Sequence, residues 1–269
     1  MNQLAVIGVG NMAKAILAGL ARSEISLQRV ILFDPNTEQY KNLPNASFTY
    51  SYAESVAEAI ALADTVLISV KPQQYPEVLS EMAMVSHAET KLYVSIGAGI
   101  TVASVTEALG GARVVRVLPN VPMLIGMGVS VICRNESVAP SDFDAVCAMF
   151  RSAGSVILID EWEMNRMIGV TSSSPAYVFQ FIQAIYEGAL LQGLPQGRAL
   201  LDAVCDTVIG SATMLKNASD TPNDLIAKVA SKGGTTEQAL LRLQAGGFDA
   251  TVADAMKACT ARAEELGKK

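Results

Sequence analysis

Two short stretches carry residue types spaced for chemistry. Gly8-Val9-Gly10-Asn11-Met12-Ala13 follows the apolar run Leu4-Ala5-Val6-Ile7 and precedes Ile16, Leu17 and Leu20 at helical spacing. Gly8 permits a tight turn and Gly10 lets backbone approach a pyrophosphate. Ala13, in the third glycine position, allows a helix to pack closely on a strand. A strand, a glycine turn and a helix in that order describe a dinucleotide site, with Asn11 and Met12 at its helical edge. The second stretch is Ser231-Lys232-Gly233-Gly234-Thr235-Thr236-Glu237, which opens onto Ala239-Leu240-Leu241. Its glycines free the backbone, and Thr235 and Thr236 can cap the helix that follows. Such a loop points several N–H groups one way and adds the positive end of the helix dipole, so it can hold an anion. Taken alone, an ordinary capped surface helix is the simpler account.

Further candidates lie at the ends of apolar runs. Val30-Ile31-Leu32-Phe33 ends in Asp34, an acid placed to accept from ribose hydroxyls, which favours NAD. Asn36, Thr37 and Lys41 nearby can serve a 2′-phosphate, so the local chemistry leaves NAD and NADP both open. Ligands of doubly wound sheets sit beyond the carboxyl ends of the strands. Three loops fall there: Val70-Lys71-Pro72-Gln73, Ile96-Gly97-Ala98-Gly99 and Leu118-Pro119-Asn120-Val121-Pro122. Lys71 can meet ribose, phosphate or substrate, or be solvated. Asn120, between two prolines, offers a donor and an acceptor to a carboxamide, or simply makes a turn. The single histidine, His87, sits in a polar loop and reads as a surface residue, which leaves no histidine base. The four cysteines are far apart and form no CxxC pair, so neither a disulfide frame nor a metal site is expected.

The elements that must position these residues alternate. Strand-like runs recur at 4–7, 30–33, 48–50, 65–70, 92–96, 114–118, 128–133 and 156–159, with helical segments between several of them. Continuous apolar runs suit a sheet covered on both faces, so an α/β fold with a doubly wound, Rossmann-type parallel sheet is expected over residues 1–160. After Asp160-Glu161-Trp162 strand patterns stop. An all-α domain is expected over 161–269, broken at Ser172-Ser173-Ser174-Pro175 and restarted at Pro195 and Thr221-Pro222. The run Ala176–Ile182 is apolar nearly all round and should be buried on every side. Hydrophobic residues make up 51% and charged ones 17%, lean enough in charge to expect a homo-oligomer in which helices of two chains interlock. The net charge of −6 and the lack of a basic stripe disfavour nucleic acid. No secretory signal or membrane-length apolar run appears, so a cytoplasmic protein is expected.

A dinucleotide turn without a conventional base suits hydride transfer to a C=N bond. A protonated imine already accepts hydride, so positioning and anion binding carry most of the catalysis. At this point the chain resembles the pyrroline-5-carboxylate reductases. The likeness rests on Val229-Ala230-Ser231-Lys232-Gly233-Gly234-Thr235-Thr236-Glu237-Gln238-Ala239-Leu240, Gly8–Ala13, Val70–Gln73, Arg116–Pro122 and Ser173-Ser174-Pro175-Ala176-Tyr177, in family order along nearly the entire chain. The resemblance implies reduction of 1-pyrroline-5-carboxylate to L-proline by NAD(P)H, the last step of proline biosynthesis. It implies that backbone amides around Gly234, with Ser231 and Thr235, hold the substrate carboxylate, and that Thr236 bonds the ring nitrogen. It also implies that Glu161 lies near the substrate and that Lys228 approaches the cofactor. The family mostly prefers NADPH, so NADP is expected, with NAD as the alternative that Asp34 keeps open. Its helical domains interlock into homodimers that often assemble further. Lys232 replaces a frequent proline, Ser174 a frequent glycine, Met127 a frequent acid and Gly97 a frequent alanine.

Two other classes share parts of this pattern. A nucleotide sensor would bind cofactor without turnover, but the complete Ser231–Thr236 loop weighs against it. A reductase of another small carboxylate, such as a β-hydroxyacid dehydrogenase, would want a lysine on the interdomain helix. Trp162 to Val178 contains none.

Overall fold

The computed structural model describes residues 2–267. Its sheet has eight strands in the order β3-β2-β1-β4-β5-β6-β7-β8. They are β1 (Gln3–Ile7), β2 (Arg29–Phe33), β3 (Thr49–Tyr52), β4 (Thr65–Ile68), β5 (Leu92–Ser95), β6 (Arg113–Leu118), β7 (Gly128–Arg134) and β8 (Gly154–Leu158). The first six are mutually parallel. β7 runs antiparallel to β6 and parallel to β8, a reversal that the apolar runs do not encode. The strand order reverses between β1 and β4, the switch point beyond whose carboxyl ends such sheets bind ligands.

Helices α1 (Asn11–Ala21), α2 (Val56–Ala61), α3 (Tyr75–Ala83), α4 (Val102–Ala108) and α5 (Pro140–Arg151) cover the two faces. Alternation along each strand divides the core. Leu4 and Val6 face a cluster with Ile16, Leu17 and Leu20 of α1 and Val146 and Phe150 of α5. Ala5 and Ile7 face one with Val56 and Ile60 of α2, Leu79 of α3 and Val105 of α4. Each fully buried Ile or Leu here is worth about 1.5–3 kcal/mol relative to an exposed one.

After β8 come α6 (Glu161–Met167), a π-helical turn (Ile168–Ser172), α7 (Ser174–Leu191), α8 (Arg198–Asn217), α9 (Pro222–Val229), α10 (Thr235–Ala245) and α11 (Phe248–Leu266). The break expected at the serine triplet is this widened turn. α8 begins at Arg198 with Gly197 as its N-cap, three residues later than Pro195 led us to expect. The chain forms two compact units. One comprises everything up to Pro175 together with the stretch from Met256 onward; the other is Ala176–Ala255. The expectation that α7 is buried on every side fails within one chain. None of its residues is buried, and Phe179 and Leu191 are 62% and 90% exposed. No helix among the described residues is long and apolar enough to cross a membrane.

Candidate active site

In the α/β unit the glycine turn is wedged between two strand ends. Gly8 has φ +88, and its N–H donates to the Phe33 carbonyl at 2.9 Å. A β-carbon there would lie 2.8 Å from the Ser69 carbonyl oxygen and 2.9 Å from Cγ1 of Val70, so Val70 walls the turn. Gly10 is the N-cap of α1, and a β-carbon at Gly10 would meet nothing within 4 Å. No side chain caps α1, and its first turn holds no acid. Asn11 stands exposed at its first position, whereas Met12 packs partly against the α1-side core. Open space and unspent N–H groups at a helix start fit a pyrophosphate. Gly8→Ala forces an L-residue into the left-handed region and against Ser69, and is expected to cost about 1–3 kcal/mol of stability. Loss of nucleotide affinity together with a lower thermal midpoint is the outcome to look for.

Asp34 is tied into this turn. Its Oδ2 accepts from Val9 N–H at 2.8 Å, and its Oδ1 accepts from Asn36 N–H at 2.9 Å. Tyr40 Oη closes the loop, accepting from Asp34 N–H and donating to its carbonyl. The carboxylate thus fastens the end of β2 to the glycine turn, and only its second lone pairs are left for a ribose. Lys14 Nζ donates to the Lys41 carbonyl at 3.0 Å, while the Lys41 ammonium pairs with Glu38.

The three loops at the other strand ends differ in what they leave free. Lys71 is exposed after β4, its N–H donating to Gln74 Oε1, and Pro72 starts a 3₁₀ turn leading to α3. Gly97 is buried after β5, its N–H donating to Tyr75 Oη. Asn120 is also buried. Its Nδ2 donates to the Thr171 carbonyl at 2.9 Å and its Oδ1 accepts from Val129 N–H at 2.8 Å. That carboxamide clips the loop after β6 to β7 and to the π-helical turn.

Glu161, the first residue of α6, meets two partners through one oxygen. Its Oε1 accepts from Val102 N–H at the start of α4 (2.5 Å) and from Arg116 Nη1 (3.2 Å). Arg116 Nη2 donates to Asn165 Oδ1 at 2.7 Å, while its Nε is buried without a partner. Arg116 is 1% exposed in the middle of β6. Sequence reasoning passed over it, although a lone arginine inside the run Val114–Leu118 is a signal, because a buried charge requires a counter-charge. Across the strand pair sits Cys133, whose thiol is pushed up to about 12, first by burial and then by the nearby Glu161 carboxylate. It stays a protonated core residue.

In the helical unit the Ser231–Glu237 loop has the shape of an anion cradle. Gly233 has φ +77, a conformation suited to glycine, and its N–H donates to Glu237 Oε2 at 2.7 Å. A β-carbon on Gly234 would lie 2.6 Å from Ser231 Oγ, so the serine hydroxyl closes over the glycine. The N-cap of α10 is Gly234, not a threonine. Thr235 and Thr236 are the first two helical residues, and no side chain caps the helix. The expectation that the threonines cap it is therefore corrected, since a residue already in helical conformation cannot reach back to serve as its own N-cap. Their hydroxyls and the first-turn N–H groups are left for a ligand. Lys228 Nζ pairs with both carboxylate oxygens of Asp220, at 2.7 and 2.8 Å.

A doubly wound sheet with an uncapped glycine turn at its switch point is the architecture of dinucleotide-dependent oxidoreductases. Residues 3–99 match the family model described as NADP oxidoreductase, coenzyme F420-dependent, and residues 161–266 match that described as pyrroline-5-carboxylate reductase dimerisation. The pyrroline-5-carboxylate reductase of Escherichia coli K12 is 37% identical over 268 residues, covering 99% of this chain and 98% of that one. That of Synechocystis is 33% identical over 268 residues, covering 99% of both. The crystal structure of the Plasmodium falciparum pyrroline carboxylate reductase with NADP bound superposes with a TM-score of 0.87. It is 26% identical, covering 99% of this chain and 98% of that one. This chain belongs to the pyrroline-5-carboxylate reductase family.

Proposed function

We propose that this protein reduces 1-pyrroline-5-carboxylate to L-proline with NADPH. The observation that carries this reading is the uncapped start of α10, where the Ser231 hydroxyl closes over Gly234 and the Thr235 and Thr236 hydroxyls stand at the first two helical positions, the Gly233 and Gly234 N–H groups being held by Glu237 Oε2 and the Ser231 carbonyl. Ser231 and Thr235 hold the substrate carboxylate through their hydroxyls and N–H groups, with Gly234, whose N–H is held by the Ser231 carbonyl, shaping the turn beneath it. Thr236 places its hydroxyl at the ring nitrogen, where it orients the C=N bond. Glu161 is assigned to the substrate through Oε2, since Oε1 is held by Arg116 and Val102.

In the α/β unit, Gly8 and Gly10 shape the turn, and Asn11 and Met12 present backbone N–H groups to the pyrophosphate. Val70, Lys71, Pro72, Gly97 and Asn120 line the remaining cofactor site, with Asn120 acting through the loop it clips in place. Lys228 reaches the cofactor only by exchanging its Asp220 partner. When bound, the dihydronicotinamide supplies the hydride that the imine carbon accepts. NADP is favoured over NAD because the Asp34 oxygens are already engaged by backbone amides, while the Lys14 ammonium stands exposed on the Lys41 carbonyl.

Functionally, residues 1–160 serve the dinucleotide and 161–269 serve the substrate and dimerisation. The exposed apolar side chains of α7, Val178, Phe179, Phe181 and Ile185 among them, support a homodimer as the minimal assembly, with higher homo-oligomers open to it. Four free thiols support a reducing, cytoplasmic setting. The reading is tested by following NADPH and NADH oxidation with synthetic 1-pyrroline-5-carboxylate on the full chain. Proline formation with NADPH well above that with NADH is expected. No oxidation with either nucleotide overturns the reading.

A further inference from the structure

Tyr75 opens α3 and is 1% exposed, yet its ring carries a hydroxyl into the middle of the sheet's carboxyl end. Tyr75 Oη lies 3.0 Å from the Ile68 carbonyl, 3.0 Å from Ser95 Oγ and 2.9 Å from the Gly97 N–H. A phenol has one proton to give and two lone pairs to fill. Donation to Ile68, with acceptance from Ser95 and Gly97, saturates it. Ile68 and Ser95 are the paired last residues of β4 and β5, so one hydroxyl bridges two neighbouring strand ends. Burial pushes this phenol up to about 12, so the donor is present throughout the physiological range.

The ring fixes the third segment sterically. Its Cε2 and Cζ lie 2.7 Å from where a β-carbon on Gly97 would sit. Glycine at this position therefore makes room for the tyrosine ring and for Ile100, whose Cγ1 lies equally close. From Ile68 the chain continues into Ser69 and Val70, the wall against which Gly8 turns. The geometry points to Tyr75 as the positioning residue of the cofactor site: its hydroxyl sets the β4 and β5 loops and, through Ser69–Val70, the glycine turn. Gly97 is its obligatory companion. This inference rests on the nucleotide-binding reading of those loops.

The test compares NADPH binding and steady-state kinetics of the full chain with those of Tyr75→Phe, which keeps the ring and removes only the hydroxyl. An orphaned Gly97 N–H and Ser95 hydroxyl should raise Kd and KM for NADPH about tenfold while kcat at saturating NADPH stays within about twofold. Wild-type failure to bind NADPH defeats the nucleotide-binding reading itself. Binding by the wild type with an unchanged Kd in Tyr75→Phe overturns the positioning role alone. Should Tyr75→Phe fail to fold, the companion relation is measured instead. Gly97→Ala alone should weaken NADPH binding by collision with the ring, and Tyr75→Leu/Gly97→Ala should weaken it less than the two single changes combined. Strict additivity overturns the proposal.

Discussion

Replacing Thr236 with alanine is expected to lower kcat/KM for 1-pyrroline-5-carboxylate about 100-fold, the scale seen when one preorganised donor to a reacting centre is removed. NADPH affinity should not change, because all the residues assigned to the nucleotide except Lys228 lie in the α/β unit, and Thr236 lies in the helical one. The backbone dictates this outcome. Gly234 is the N-cap of α10, so Thr236 falls at the second helical position and its hydroxyl is not consumed by the helix. A hydroxyl of this kind can act on a ligand at no structural cost. Thr236→Ser keeps the oxygen and should recover most of the activity; Thr235→Ala should act mainly on KM, as expected for a contact to the carboxylate that is the same in ground and transition states. Steady-state kinetics with titration of NADPH fluorescence separate these effects. Undiminished kcat/KM in Thr236→Ala removes the role assigned to the hydroxyl.

The second large effect concerns stability. Glu161→Ala leaves the Arg116 guanidinium in the sheet interior with Asn165 as its only remaining partner, and is expected to cost about 3 kcal/mol or more. The cost comes from the arginine, since the Glu161 side chain itself is 36% exposed and shares its charge with solvent. Glu161→Gln should cost less. Its amide oxygen still accepts from Val102 N–H and from the guanidinium, and only the ionic part is lost. Replacing both partners with apolar residues, as in Arg116→Met/Glu161→Leu, should leave the chain more stable than Glu161→Ala. Breaking a buried pair is worse than dispensing with it. Urea midpoints of the four proteins measure this; a Glu161→Ala midpoint equal to wild type would refute it.

Much of this molecule is legible in its residues, and the reasons are physical. Strands covered on both faces are largely apolar, so runs such as Leu4–Ile7 and Val30–Phe33 declare themselves. The glycine turn is legible because position, not merely pattern, places it between a strand and a helix. What stays hidden is long-range or directional. The reversal of β7 is invisible to periodicity, which does not encode strand direction. Pro195 is compatible with a helix start but does not enforce one, and the helix waits for Gly197 and Arg198. Asp34 and Asn120 were legible as polar groups at strand ends, but their intramolecular partners were not. Val9 lies 25 residues from Asp34 and Thr171 lies 51 from Asn120. The Arg116–Glu161 pair spans 45 residues, and Tyr75 reaches 20 to Ser95. The apolarity of Ala176–Ile182 was legible, but no residue of α7 is buried within one chain.

Helix α11 begins in one compact unit and ends in the other, so the helical unit is an excursion from a chain that leaves the α/β unit at Pro175 and re-enters it at Met256. The returning segment is no ornament there. Ala263 is buried in the core, and its carbonyl lies 2.5 Å from where a β-carbon on Gly99 would sit, just beyond the loop that carries Gly97. Synthesis runs from the N-terminus at about 5–20 residues per second, and domains tend to fold as they emerge. The β5 loop therefore gains its closing neighbour only after the entire helical excursion has left the ribosome.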